Sequence, residues 1–277
     1  MSPARALLCL RSVGEIAAQG GLGKGTGKEN PTAALRARPL SRIIRIMPVP
    51  KQSLPLQMTS HFPFGRSYDF HELLADGIVH GIGVAFALIG ATALIFYATA
   101  WGGGGEQIAA WIYGLGLVLA LGISFTYNML PPSRFKWVMR RLDHSAIFIL
   151  IAATYTPFLQ LGIDRPAIAA LLVCIWLTAI SGIVLKCVFP GRGDRLAVLL
   201  YLAMGWSGLI AIGPISGYLP GISIWLVVIG GLIYSAGVSF HLWQKLRFQN
   251  AIWHGFVVAA AAVHYSAVFL ALHLDGM

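Results

Sequence analysis

ADGIVHGIGVAFALIGATALIFYATA, residues 75–100, contains one acid, Asp76, and neither lysine nor arginine. An apolar helix of about 20 residues crosses the ~30 Å hydrocarbon layer of a bilayer, so this stretch reads as a membrane span. The same pattern recurs at 106–129, 143–161, 164–187, 196–213, 220–242 and 251–273. Seven spans make the expected fold all-α: a seven transmembrane helix bundle in a polytopic membrane protein. Composition agrees. The 277 residues are 57% hydrophobic and 11% charged, with a mean hydropathy of +0.74, whereas a soluble domain carries about 25% charged residues. Cys9, Cys174 and Cys187 form no CxxC pair, which argues against both a disulfide framework and a zinc finger.

The net charge of +10 is explained by its placement. Ten cations precede span one. Arg134, Lys136, Arg140 and Arg141 follow span two, Lys186, Arg192 and Arg195 lie at or after the end of span four, and Lys245 and Arg247 follow span six. Arg165, beside Asp164, stands alone on the other side. Positive charge marks the cytoplasmic side of short loops, so the N-terminus is expected inside and the C-terminus outside. The basic balance orients the chain and suits anionic lipid; no nucleic-acid partner is expected. Residues 1–57, rich in Arg, Gly, Ala and Pro, read as a disordered basic tail or as the product of a start placed too early, with Met47 and Met58 as alternatives. Residues 58–74 form a pre-membrane segment, and 75–273 form the transmembrane domain.

Ionisable groups inside spans are costly and are functional candidates. Glu72, Asp76 and His80 recur every fourth residue near the start of span one, on one helical face. Ser124 and Asn128 end span two, Asp143 and His144 start span three, and Asn250 and His254 start span seven. With the orientation above, all of them fall at the cytoplasmic depth, which points to one shared polar site. The plainer readings stand beside it. Asp143 could cap span three, Glu72 could be a solvated end charge, and His80 could be a buried neutral histidine. His264, roughly 15 Å further along its helix than His254, suits a helix–helix hydrogen bond. The glycines Gly77, Gly81, Gly83, Gly90, Gly114, Gly116, Gly122, Gly230, Gly231 and Gly237 read as seams that let helices approach.

Arg140-Arg-Leu-Asp143-His144 leading to Thr154-Tyr155-Thr156-Pro157-Phe158 resembles the most recognisable stretch of the haemolysin III family, which belongs with the progestin and adipoQ receptors, among them the adiponectin receptors. Glu72-x3-Asp76-x3-His80-Gly81, Ser124-x2-Tyr127-Asn128 and Asn250-x3-His254 are similar to its other motifs, so the resemblance covers about 68–273. It implies a zinc ion held by one histidine of span two and two of span seven, with a nearby Ser and Asp holding water, and lipid-amide hydrolysis in related members. Two of those three histidine positions are Asn128 and Asn250 here, and Asn is a poor zinc ligand. A site rebuilt from His254, His80 and Asp143, with help from His144, would restore metal chemistry. Ser124 and Asp143 would then be catalytic. Alternatively, Asn and Asp side chains form a neutral hydrogen-bond network tying spans two, three and seven together, within a polar site that includes Asp76, Asn128, His144 and Asn250. The missing ligands disfavour an enzyme. The leading expectation is a non-enzymatic haemolysin III-type protein of a bacterial inner (plasma) membrane, linked by the family name to cytolysis or envelope homeostasis. A zinc-dependent lipid-amide hydrolase is the alternative, and a channel or a ligand or proton sensor is third. The expected partners are the lipid bilayer and a lipid ligand.

Overall fold

The computed structural model describes residues 68–188, 194–217 and 219–274; the expectations for residues 1–57 and most of 58–74 lie outside them. All regular structure among the described residues is helical: α1 (Phe70–Trp101), α2 (Gly104–Met129), α3 (Arg134–Gln160), α4 (Pro166–Val188), α5 (Asp194–Trp206), α6 (Leu209–Ile215), α7 (Gly221–Leu242) and α8 (Gln249–Leu274). Six of them, α1 to α4, α7 and α8, are long and apolar enough to cross a membrane. The chain is a multi-pass helical membrane protein. Neighbours in sequence pack as neighbours in space, α1 on α2, α2 on α3, α3 on α4 and α7 on α8, and α8 also lies against α1 and α3.

The lipid-facing side of the bundle is apolar, and the polar groups of its helices are turned inward beside an apolar core. On α1, Ile78, Ile82, Ile89 and Phe96 are exposed, while Glu72, Asp76, His80, Gly83, Ala87 and Leu94 are buried. In lipid this is the stable arrangement, because side chains that need partners find them only between helices. Small residues allow the approach. A Cβ on Gly116 would lie 2.7 Å from Ala153 Cβ across the α2–α3 seam, and one on Gly83 would lie 2.8 Å from Val258 of α8.

Two elements differ from the hydropathy reading. Helix α3 starts at Arg134, nine residues before Asp143, because Ser133 caps it: the Ser133 hydroxyl accepts the Lys136 N–H at 3.1 Å. Asp143 therefore sits in the third turn and caps nothing. The stretch 196–213, expected as one span, is two helices parted at Ser207–Gly208. The Tyr155 hydroxyl fills the break. It accepts the Gly208 N–H at 2.6 Å and lies 2.6 Å from the Gly205 carbonyl and 3.0 Å from that of Met204.

Candidate metal centre at the α1–α8 contact

The site begins with two helical repeats. Asp76 and His80 are four apart on α1, and Asn250 and His254 are four apart on α8, so each helix presents two polar side chains on one face. Gly83, one turn beyond His80, lets α8 come close enough for the His80 and His254 rings to lie 4.1 Å apart, centroid to centroid. Asp76, His80 and His254 are 2%, 4% and 7% exposed, so each must find its partners within the protein.

Asp76 is the hub. Its Oδ1 accepts from His254 Nδ1 at 2.8 Å and lies 3.3 Å from His80 Nδ1, and its Oδ2 accepts from Asn250 Nδ2 at 2.8 Å. His80 Nδ1 also reaches the Asp76 carbonyl oxygen at 2.8 Å. Since oxygens of this kind only accept, both imidazoles carry a proton on Nδ1, which makes Nε2 the nitrogen through which either ring would ligate a metal. His80 Nε2 lies 3.3 Å from Ser124 Oγ and 3.4 Å from Asn128 Nδ2. Among the described residues no hydrogen bond reaches His254 Nε2. The second Asn250 amide hydrogen goes to Asn128 Oδ1 at 2.9 Å, and Asn128 Nδ2 donates to the Ser124 carbonyl, also at 2.9 Å. Both asparagines thus serve as donors around Asp76 and His80.

A cavity of about 10 Å³, room for roughly one water, adjoins these groups, lined by His80, Ser124, His254, Gly83, Leu121, Val257 and Val258. Asp143 approaches the Ser124 side chain from α3. His144 ties its carbonyl to the Tyr201 hydroxyl at 2.8 Å and stands outside the convergent group. His264 donates Nε2–H to the Val227 carbonyl of α7 at 3.0 Å, a helix–helix bond as its depth suggested. Glu72, 4% exposed, is buried rather than solvated. Just outside the span, the Glu72 N–H holds the Asp69 carboxyl below the usual carboxylate range.

Asp76, His80 and His254 each offer a ligand atom within 4.8 Å of the others, so this buried group could hold a metal ion. Two imidazoles and a carboxylate form a donor set that catalytic zinc sites use. The acid of this group is Asp76 rather than Asp143. Its i,i+4 spacing to His80 was visible in the sequence; the adjacency of α1 and α8 was not.

An all-helical membrane bundle enclosing an acid–imidazole cluster defines a multi-pass membrane protein with a built polar centre. Residues 68–265 match the family model described as haemolysin-III related, and the chain belongs to the haemolysin III family. It is 35% identical over 201 residues to a "Hemolysin-3 homolog" of Bacillus subtilis (strain 168), covering 73% of this chain and 94% of that relative. It is 37% identical over 197 residues to a "Hemolysin-3" of Bacillus cereus, covering 71% and 90%. A human "Monocyte to macrophage differentiation factor" is 32% identical over 174 residues, covering 61% and 72%.

Proposed function

We propose that this chain is a zinc-dependent hydrolase of lipid amides, working inside a bacterial plasma membrane from its cytoplasmic side. The observation that carries the reading is the convergence of Asp76, His80 and His254 ligand atoms within 4.8 Å in a buried site. That convergence supplies the donors that Asn128 and Asn250 do not. The topology proposed with it has seven crossings, with α5 and α6 together making the fifth, the N-terminus inside and the C-terminus outside. It rests on the distribution of Lys and Arg.

Asp76, His80 and His254 would hold the ion, which supplies the acidification of a bound water towards a pKa of about 7. The remaining chemistry belongs to the chain. Asn250 and Asn128 fix the Asp76 carboxylate and the His80 ring by the hydrogen bonds given above. The Ser124 hydroxyl holds water in the adjoining cavity, and the Asp143 carboxylate behind it accepts the proton released. Val257, Val258 and Leu121, which line that cavity with them, give the water held there an apolar wall. The test is turnover of a fluorogenic lipid amide by the purified protein in lipid nanodiscs. Hydrolysis should stop with a chelator and return with Zn²⁺. Asp143→Asn should retain the metal yet lose about 100-fold in rate, the order expected for a general base. A zinc-loaded protein with no turnover would refute the enzymatic reading.

The names of the Bacillus relatives favour a second reading, membrane permeabilisation. Lysis of erythrocytes or dye release from liposomes that persists unchanged in Asp76→Asn would support it, since a pore does not need the metal centre.

A further inference from the structure

Beyond the metal centre, the short connection between α7 and α8 holds a strained residue. Phe248, immediately before α8, is a non-glycine residue with φ of +59°, a left-handed conformation that L side chains adopt at a cost and that concentrates at functional sites. Its N–H donates to Glu72 Oε1 at 3.1 Å, across 176 positions of sequence. Glu72 is buried at 4% exposure, and its other oxygen accepts the Asp69 N–H at 3.0 Å. One carboxylate therefore closes the first turn of α1 and grips the residue that leads into α8. The neighbouring pair Arg247–Asp69, at 3.5 Å, joins the same two segments on the exposed side.

The spacing gives this contact a purpose. Glu72 stands one turn before Asp76 and two before His80; Phe248 stands two residues before Asn250 and six before His254. Fixing Phe248 to Glu72 sets how far α8 slides along α1, and a slide of one residue, about 1.5 Å, would carry His254 away from Asp76. We infer that Glu72 is a positioning residue: through the Phe248 N–H it sets the α1–α8 register in which Asp76 meets both histidines. The strained φ at Phe248 is what aims that N–H inward. For its metal readout the inference rests on the reading of the centre given above; its register readout does not.

Two conservative variants separate reach from charge. Glu72→Asp keeps the charge but is one methylene too short to reach the Phe248 N–H, whereas Glu72→Gln keeps one carbonyl oxygen at the right reach for it and gives up only the Asp69 N–H, which its amide nitrogen cannot accept. Hydrogen exchange in the full-length protein should show the amides of residues 248–254 exchanging about tenfold faster in Glu72→Asp, the order set by one hydrogen bond to a charged acceptor. Those of Glu72→Gln, still bonded to Phe248 through a neutral oxygen, should exchange closer to wild type than those of Glu72→Asp, and α3 should be unchanged in both. In parallel, the visible spectrum of Co²⁺ bound at the centre should shift in Glu72→Asp and not in Glu72→Gln. Wild-type exchange at 248–254 in Glu72→Asp, equal damage in the two variants, or faster exchange spread evenly over all helices would each overturn the positioning role. Failure of wild-type protein to bind Co²⁺ would instead count against the metal centre, leaving the exchange data to decide the register.

Discussion

The Asp76 carboxyl accepts hydrogen bonds from His254 and Asn250 and lies 3.3 Å from His80 Nδ1, and inside a bundle each partner offsets part of the cost of burying its charge. Removing that acceptor costs more than one bond. In Asp76→Asn the His254 Nδ1–H and the Asn250 amide face a group that itself donates, so metal affinity should fall by ~100-fold or more; zinc titration against a competing chelator reads this directly. Asn250→Ala removes a donor to Asp76 without touching a ligand atom, and should lower affinity by about 10-fold in the same titration. The sequence made much of this legible: the four-residue spacings put Asp76 with His80 and Asn250 with His254, all at one depth. The identity of the acid was not legible, because the family pattern drew attention to Asp143 and nothing in a linear chain says that α1 lies against α8.

At the scale of an element, the glycine seams are unequal. A methyl on Gly116 would meet the Ala153 methyl, which cannot rotate away, while one on Gly122 would have no neighbour within 4 Å. Gly116→Ala should therefore destabilise the α2–α3 pair by about 1–3 kcal/mol, and Gly122→Ala should be neutral; unfolding midpoints in mixed detergent micelles compare the two. The break between α5 and α6 depends on one hydroxyl. Tyr155→Phe leaves the Gly208 N–H without its acceptor, at about 1–3 kcal/mol, and should lower the thermal midpoint without altering metal content. Hydropathy located both regions but drew them wrongly for physical reasons. Four cations hid the first two turns of α3, although Pro131, Pro132 and the Ser133 cap signal a helix start. The apolar run 196–213 gave no sign that a side chain from another helix would replace its internal hydrogen bonds.

For the whole molecule, the membrane class was legible from the recurring apolar spans together with a charged content of only 11%, low for a water-facing surface. The proposed orientation predicts that alkaline phosphatase fused after Met277 is active and that a green fluorescent protein fused there is dark; the reverse pattern would invert the topology and place the centre at the outer face. We propose that α1 and α8 together build one metal centre from Asp76, His80 and His254. Its most direct test is the metal content of the purified full-length protein by elemental mass spectrometry, wild type beside Asp76→Asn and His254→Ala. About one zinc per chain, lost in both variants, is the predicted result; a wild-type protein free of metal after purification and zinc dialysis, or variants that bind as well as wild type, would contradict it.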